Sequence, residues 1–192
     1  KKKEKIDFCL VGEPTNPNKL GEMIKIGRRG SLTGKLSIIG IQGHVAYPQR
    51  ANNPSTTIVQ ILKELKEIKF DTGTKDFQPT NLEITKINID NSADNVIPGL
   101  ANATFNVRFN NKHSSISIKK KINNIIKKIV KNNKSKYKVN YNISGEAFLT
   151  KPNNITFMIR DIIKKVTKIK PKLSTTGGTS DARFIKKIAP CL

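Results

Sequence analysis

A chain of 192 residues with 36% hydrophobic content can bury a core of its own, which excludes a wholly disordered protein. Its 36 Lys and Arg against 14 Asp and Glu leave a formal charge of +22, which on its face invites a nucleic acid or an anionic surface. Only six of those cations are Arg, however, and Lys, Asn and Ile together make up 77 residues; all three have A/T-rich codons, so much of the basic excess reads as codon bias rather than as a binding patch.

No run of about 18 apolar residues occurs, which excludes a membrane-spanning helix. Lys1-Lys2-Lys3-Glu4-Lys5 leads into a strand-like run rather than a signal-peptide apolar region, so the chain is expected to be cytoplasmic. Cys9 and Cys191 stand near opposite ends without Cys-x-x-Cys spacing, which predicts two inert buried thiols and neither a disulfide framework nor a zinc cluster.

In chain order, Ile6 to Val11 reads as a buried strand delivering Glu13 to the loop Gly12-Glu13-Pro14-Thr15. Gly27-Arg28-Arg29-Gly30 punctuates the chain before a strand over about 32–41, and His44 follows in an irregular stretch. Asn53-Pro54 is an N-cap followed by an N1 proline, and Ile58, Ile61, Leu62, Leu65 and Ile68 recur at helical spacing, predicting a helix over 54–69. Strands follow at about 81–90 and at 100–109, where Ala101, Ala103, Phe105, Val107 and Phe109 alternate with Asn102, Thr104, Asn106 and Arg108. Ser114 or Ser115 caps a second helix with Ile118, Ile122, Ile125, Ile126 and Ile129 as its apolar stripe, and Tyr137, Val139, Tyr141 and Ile143 alternate as a last strand.

The order over 32–143 is strand, helix, strand, strand, helix, strand, the split βαβ of ferredoxin-like domains. Its flanks carry one strand and loop before it, and a helix (about 153–168) with a Gly-rich loop after it; they read as parts of a second domain, interrupted and cut at both ends. The expected division is 1–30 and 145–192 for that second domain and 31–144 for the inserted one.

Four stretches hold more polar and glycine detail than packing requires. Glu13, at a strand end, is either a metal ligand or a solvated loop residue. His44 is either a positioned acid or oxyanion donor or a structural side chain, whereas His113, after Asn-Asn-Lys, reads as an exposed turn. Arg28, Arg29 and Arg108 suit carboxylates because a guanidinium pairs as a fork, although Arg108 could equally be a salt-bridge partner. The loop at 174–184 offers backbone N–H groups and hydroxyls to an anion, or is simply a tight turn.

Taken in order, Gly12-Glu13-Pro14-Thr15, Gly27-Arg28-Arg29-Gly30-Ser31, Gly40-Ile41-Gln42-Gly43-His44-Val45-Ala46-Tyr47-Pro48, Asn95-Val96-Ile97-Pro98, Phe148-Leu149-Thr150-Lys151-Pro152 and Thr176-Gly177-Gly178-Thr179-Ser180-Asp181-Ala182-Arg183-Phe184 resemble the succinyl-diaminopimelate desuccinylase family. That family lies within the dinuclear-zinc aminoacylase and carboxypeptidase superfamily. The resemblance implies a mixed α/β (α+β) chain: a ferredoxin-like βαββαβ dimerisation domain inserted into an incomplete zinc-peptidase-like catalytic domain. It implies release of succinate from N-succinyl-LL-2,6-diaminopimelate in lysine and diaminopimelate biosynthesis, two Zn2+ ions (or Co2+), a homodimer, and neither a nucleic-acid nor a membrane partner. It makes Glu13 a zinc ligand and His44 an oxyanion stabiliser lent to the partner subunit; Arg28, Tyr47, Asn95, Arg108, Gly178 and Thr179 match positions that hold the substrate. The family's His-x-Asp motif, Glu-Glu pair and last histidine ligand have no counterparts here, so the chain is expected to be an inactive fragment. The alternatives are a related zinc-dependent acyl-amino-acid deacylase or a basic RNA-binding module, the latter weakened because Phe105 and Phe109 share the apolar face of their strand.

Overall fold

The computed structural model describes residues 5–178 and 180–192. Its elements in chain order are β1 (Met23–Lys25), β2 (Gly27–Arg28), β3 (Gly30–Ile39), β4 (Gly43–His44), α1 (Pro54–Glu67), β5 (Asn81–Asn88), β6 (Val96–Ile97), β7 (Leu100–Phe109), α2 (Ser115–Asn132), β8 (Lys136–Gly145), β9 (Phe148–Leu149), α3 (Asn154–Thr167), β10 (Lys172–Ser174) and α4 (Ala182–Ile185). Four strands form one antiparallel sheet in the order β5-β7-β3-β8, the ferredoxin-like arrangement expected from the element order.

Local chemistry explains each long element. In α1 the Asn53 side chain accepts from the Ser55 N–H at 2.9 Å and Pro54 opens the first turn, while Ile58, Ile61, Leu62 and Leu65 are buried. Ser114 and Ser117 close a capping box at the start of α2, whose Ile118, Ile122, Ile126 and Val130 face the sheet. The two helices cover one face, where Leu32, Leu36, Ile38, Phe105, Val107 and Phe109 complete the core. Gly34 and Gly30 lie opposite Phe105 and Phe109 on β7, and the absence of a side chain lets those rings lie across β3: a Cβ on Gly34 would stand 2.2 Å from the Phe105 ring. The uncovered face is polar; Ser37 donates to Asn102 at 2.7 Å and Asn106 to Thr33 at 2.9 Å.

A second, smaller cluster gathers Ile24, Ile26 and Leu192 with Phe8, Leu149, Ile159, Ile163 and Leu173 around the parallel pair β1-β10. The strand predicted over Ile6 to Val11 is reduced to one parallel bridge, Cys9 to Cys191. The apolar side of α3 is largely uncovered: Met158 is 56% exposed and Val166 76%. Among the described residues, no helix is long and apolar enough to cross a membrane.

Candidate functional site

Glu13 follows directly on the Cys9–Cys191 bridge, and three donors converge on its carboxylate. Ser180 Oγ donates to Oε1 at 2.7 Å, the Asp181 N–H to Oε1 at 3.3 Å, and Arg28 Nη2 to Oε2 at 3.4 Å. Arg28 is buried; its Nη1 donates to the Thr176 carbonyl at 2.8 Å, so one guanidinium joins Glu13 to the 174–180 loop. Burial lowers the Arg28 pKa, and the Glu13 carboxylate offsets only part of that. Gly177 permits this approach twice over, since its φ is +101° and a Cβ there would lie 2.6 Å from Arg28 Nη1. Lys25 adds a second cation by donating to Thr176 Oγ1 at 2.8 Å. Gly178 faces open space in the same turn, and Thr179 lies outside the described residues.

The 71–80 loop closes this region from the other side. Thr175 Oγ1 donates to the Asp76 carbonyl, and Arg29 Nη1 donates to the Pro79 carbonyl at 3.2 Å and Asn81 Oδ1 at 2.9 Å. Burial and then the charge of Arg108 lower the Arg29 pKa, so two guanidinium groups share the β5-β7-β3 edge where Asn81, Arg108 and Ser31 are in register. Among the described residues no acid pairs with Arg108.

The loop is itself anchored by a group that sequence reasoning missed. Asp71 accepts from the Gly73 N–H at 2.6 Å and Asn110 Nδ2 at 2.7 Å, and its Oδ2 lies 3.2 Å from His113 Nε2. His113 is therefore not the exposed turn residue expected: its side chain is one-tenth exposed and its ring meets Phe70 edge-on. Burial pushes the Asp71 carboxyl up, but hydrogen bonds from Thr80, Gly73 and Asn110 outweigh it and hold the pKa down at about 2.

His44 lies elsewhere, on the exposed β4-β6 ribbon. There its Nδ1 accepts from the Ala46 N–H at 3.1 Å, which leaves Nε2 as the protonated nitrogen of the neutral ring. Asn95 Nδ2 stands 3.4 Å from Nε2, so with the proton on Nε2 the Asn95 amide pairs with it only when turned to present Oδ1; the Tyr47 ring centroid is 6.0 Å from that of the imidazole. Three predicted residues thus meet on one ribbon. The ten residues of β3 separate this ribbon from Arg28, and at about 3.3 Å per residue the two clusters lie roughly 30 Å apart within one chain.

A cavity of about 380 Å³ opens beside Glu13, walled by Leu10, Ile24, Phe148, Ile163, Val166 and Leu192. Glu13, Lys25, Arg28 and Ser180 also line it, but no second carboxylate side chain and no imidazole does. No group of three or more His, Cys, Asp or Glu side chains comes together among the described residues, and both Glu13 oxygens already accept from protein donors. By themselves the described residues do not complete a dinuclear metal site, to which they could bring Glu13 alone.

The chain is 77% identical over all 192 residues to the succinyl-diaminopimelate desuccinylase of Pelagibacter ubique (strain HTCC1062), and 50% identical over 185 residues to that of Rickettsia bellii (strain RML369-C). It covers 50% and 47% of those proteins, and so spans about half the length of the curated relatives it matches. Among solved structures, a tripeptidase from Staphylococcus aureus aligns with a TM-score of 0.80 at 18% identity, over 98% of this chain and 48% of that one. The dipeptidase Dug1p from Saccharomyces cerevisiae aligns at 0.73 with 14% identity, over 96% of this chain and 51% of that one; at such identities the likeness concerns the fold alone. Residues 26–134 match the peptidase dimerisation domain family, a span that takes in more than half of the chain and runs from β2 through α2. The chain belongs to the peptidase dimerisation domain family.

Proposed function

We propose that this chain is the dimerisation and substrate-recognition half of an amide hydrolase that releases succinate from N-succinyl-LL-2,6-diaminopimelate. The observation that carries this reading is the 77% identity over all 192 residues to a protein bearing that activity in its name. On this reading 31–144 is an inserted dimerisation domain, and 1–30 and 145–192 belong to a catalytic domain. That domain's remaining segments cover the apolar side of α3, whose exposure supports the assignment. Glu13 is then one member of a metal-ligand set, two Zn2+ or Co2+ ions by resemblance, whose other members lie in segments this chain does not span.

Amide cleavage places negative charge on the carbonyl oxygen in the transition state. A neutral imidazole presenting Nε2–H, with its other nitrogen held by the Ala46 N–H, supplies a preorganised donor for that charge. Because His44 stands roughly 30 Å from Glu13 along β3, it serves the site of a second copy. Tyr47 and Asn95 travel with it on the same ribbon, whereas Arg28, Arg108, Gly178 and Thr179 recognise the substrate's carboxylates and amine. The absence of an acid beside Arg108 among the described residues supports its part, since an unpaired fork beside a second guanidinium favours an anion.

The test exchanges this chain for the matching half of the Pelagibacter ubique relative and measures succinate release. The expected outcome is preference for N-succinyl-LL-2,6-diaminopimelate over other N-acyl amino acids, with His44→Ala lowering kcat by about a hundred-fold or more and KM far less. Preference for another acyl group would instead make the parent a related acyl-amino-acid deacylase.

A further inference from the structure

The loop joining α1 to β5 is braced from within and from both of its ends. Asp71 accepts from the Gly73 N–H, from the Thr80 N–H at 3.3 Å and from Asn110 Nδ2, so one carboxylate closes the loop and ties it to the turn after β7. Inside it, Thr74 Oγ1 accepts from the Asp76 N–H at 3.2 Å and the Phe77 N–H at 3.0 Å, and the Thr74 N–H donates to the Phe77 carbonyl at 2.9 Å. Phe77 is buried, and Gly73 has a φ of +87°, a left-handed turn that a side chain would strain. A loop held this way keeps its carbonyls in fixed directions, because every donor released would leave a buried polar group unpaired. The Asp76 carbonyl is directed at Thr175 Oγ1, 99 positions further along the chain. The next residue, Thr176, presents its carbonyl to Arg28 Nη1 at 2.8 Å, and Arg28 Nη2 reaches Glu13 at 3.4 Å. Thr80, Asn110, Thr175 and Arg28 are all buried, so the path from Asp71 to Arg28 runs through the interior and does not depend on any exposed surface.

We propose that Asp71 and Thr175 are positioning residues for Arg28: the braced 71–80 loop fixes the 174–178 segment through the Thr175 hydroxyl, and that segment holds the Arg28 fork in the orientation that meets a substrate carboxylate. A hydroxyl donates one hydrogen bond at a time, so the bond from Thr175 to Asp76 sets where the Thr176 carbonyl stands. A guanidinium reads a carboxylate as a planar fork, and a shift of about 1 Å in its support spoils the alignment of both arms. Neither Asp71 nor Thr175 touches the substrate; both act through Arg28. The contact of Arg28 with substrate rests on the amide-hydrolase reading, whereas the tether between the two loops does not.

The test uses the full-length Pelagibacter ubique relative carrying this chain as its matching half, made as Thr175→Val, which removes the hydroxyl, and as Thr175→Ser, which keeps it. On the N-acyl amino acid that the unsubstituted enzyme prefers, Thr175→Val should raise KM about tenfold while kcat changes less than about threefold, and Thr175→Ser should restore most of the loss. Asp71→Asn should raise KM in the same sense; KM does not depend on how much of the enzyme is folded, so a purely structural Asp71 would leave it unmoved. Adding Thr175→Val to Arg28→Lys should raise KM no further than Arg28→Lys alone, because the hydroxyl acts through the fork. Hydrogen exchange tests the tether without turnover: Thr175→Val should speed exchange at 174–178 and also at 74–78, on the far side of the lost bond. An unmoved KM in Thr175→Val or Asp71→Asn, a further rise in the double variant, or unchanged exchange at 74–78 would overturn the proposal. Preference for another acyl group would overturn the succinate reading alone, since the coupling is read on whichever substrate is preferred.

Discussion

Asp71 binds two loops that are distant in sequence, accepting from Gly73 and Thr80 in its own loop and from Asn110 beyond β7. Its carboxyl sits at about 2 against an ordinary 3.8. A folded-state pKa below the unfolded one gives stability that is fully present above about pH 4 and is lost as the pH falls through about 2. Asp71→Asn, which keeps the shape and removes the charge, should cost about 2 kcal/mol at neutral pH and flatten the loss of Tm on acidification from pH 5 to pH 2. Identical acid limbs in melts of the two proteins would contradict the assignment. The same network shows why His113 reads as an exposed turn in the sequence and is not one: its immediate neighbours are polar, and its burial comes from Phe70 and Asp71, more than forty positions away. Glu13 and Arg28 stand out as candidates in the sequence because each sits in a compact Gly-punctuated stretch. That Arg28 and Ser180 both hold Glu13 was not legible, since it depends on how the 174–180 loop returns to the chain's beginning.

Elements long enough to show a period were readable; those of two or three residues were not. The alternation along β7 and the helical spacing in α1 and α2 place their apolar residues in the core as expected. By contrast, β4 and β6 are two residues each, too short to carry any alternation, yet their pairing brings His44 and Asn95 together. Complementarity of β3 to β7 is an element-scale property that alternation does not reveal, because Gly34 reads as a gap in the apolar pattern and is filled by the Phe105 ring. Gly34→Ala should therefore cost about 1–3 kcal/mol by overpacking. Chemical denaturation checks it: an unchanged midpoint would mean that the ring moves aside freely.

At the scale of the whole molecule, one well-filled core is joined to a partly covered one. The ferredoxin-like sheet and its helices enclose a large apolar cluster, while α3 and the β1-β10 pair leave an apolar wall open beside Glu13. A metal site needs several ligands held together, and among the described residues this chain offers Glu13 with both oxygens engaged. The isolated 192-residue chain should accordingly retain no stoichiometric zinc after dialysis and release no succinate; one or two zinc ions kept per chain would mean that a ligand set has been overlooked. The separation of His44 from Glu13 by the length of β3 is the feature on which the functional account turns. Its most direct test uses the Pelagibacter ubique relative carrying this chain as its matching half, made as His44→Ala and as Glu13→Ala, each with about a hundredth of the wild-type activity or less by itself. Mixing the two under conditions that exchange subunits should restore about a quarter of the wild-type activity, because about half of randomly paired dimers are mixed and each mixed dimer holds one intact site of two. No recovery in a mixture shown to contain mixed dimers would contradict the claim that the two clusters meet across subunits.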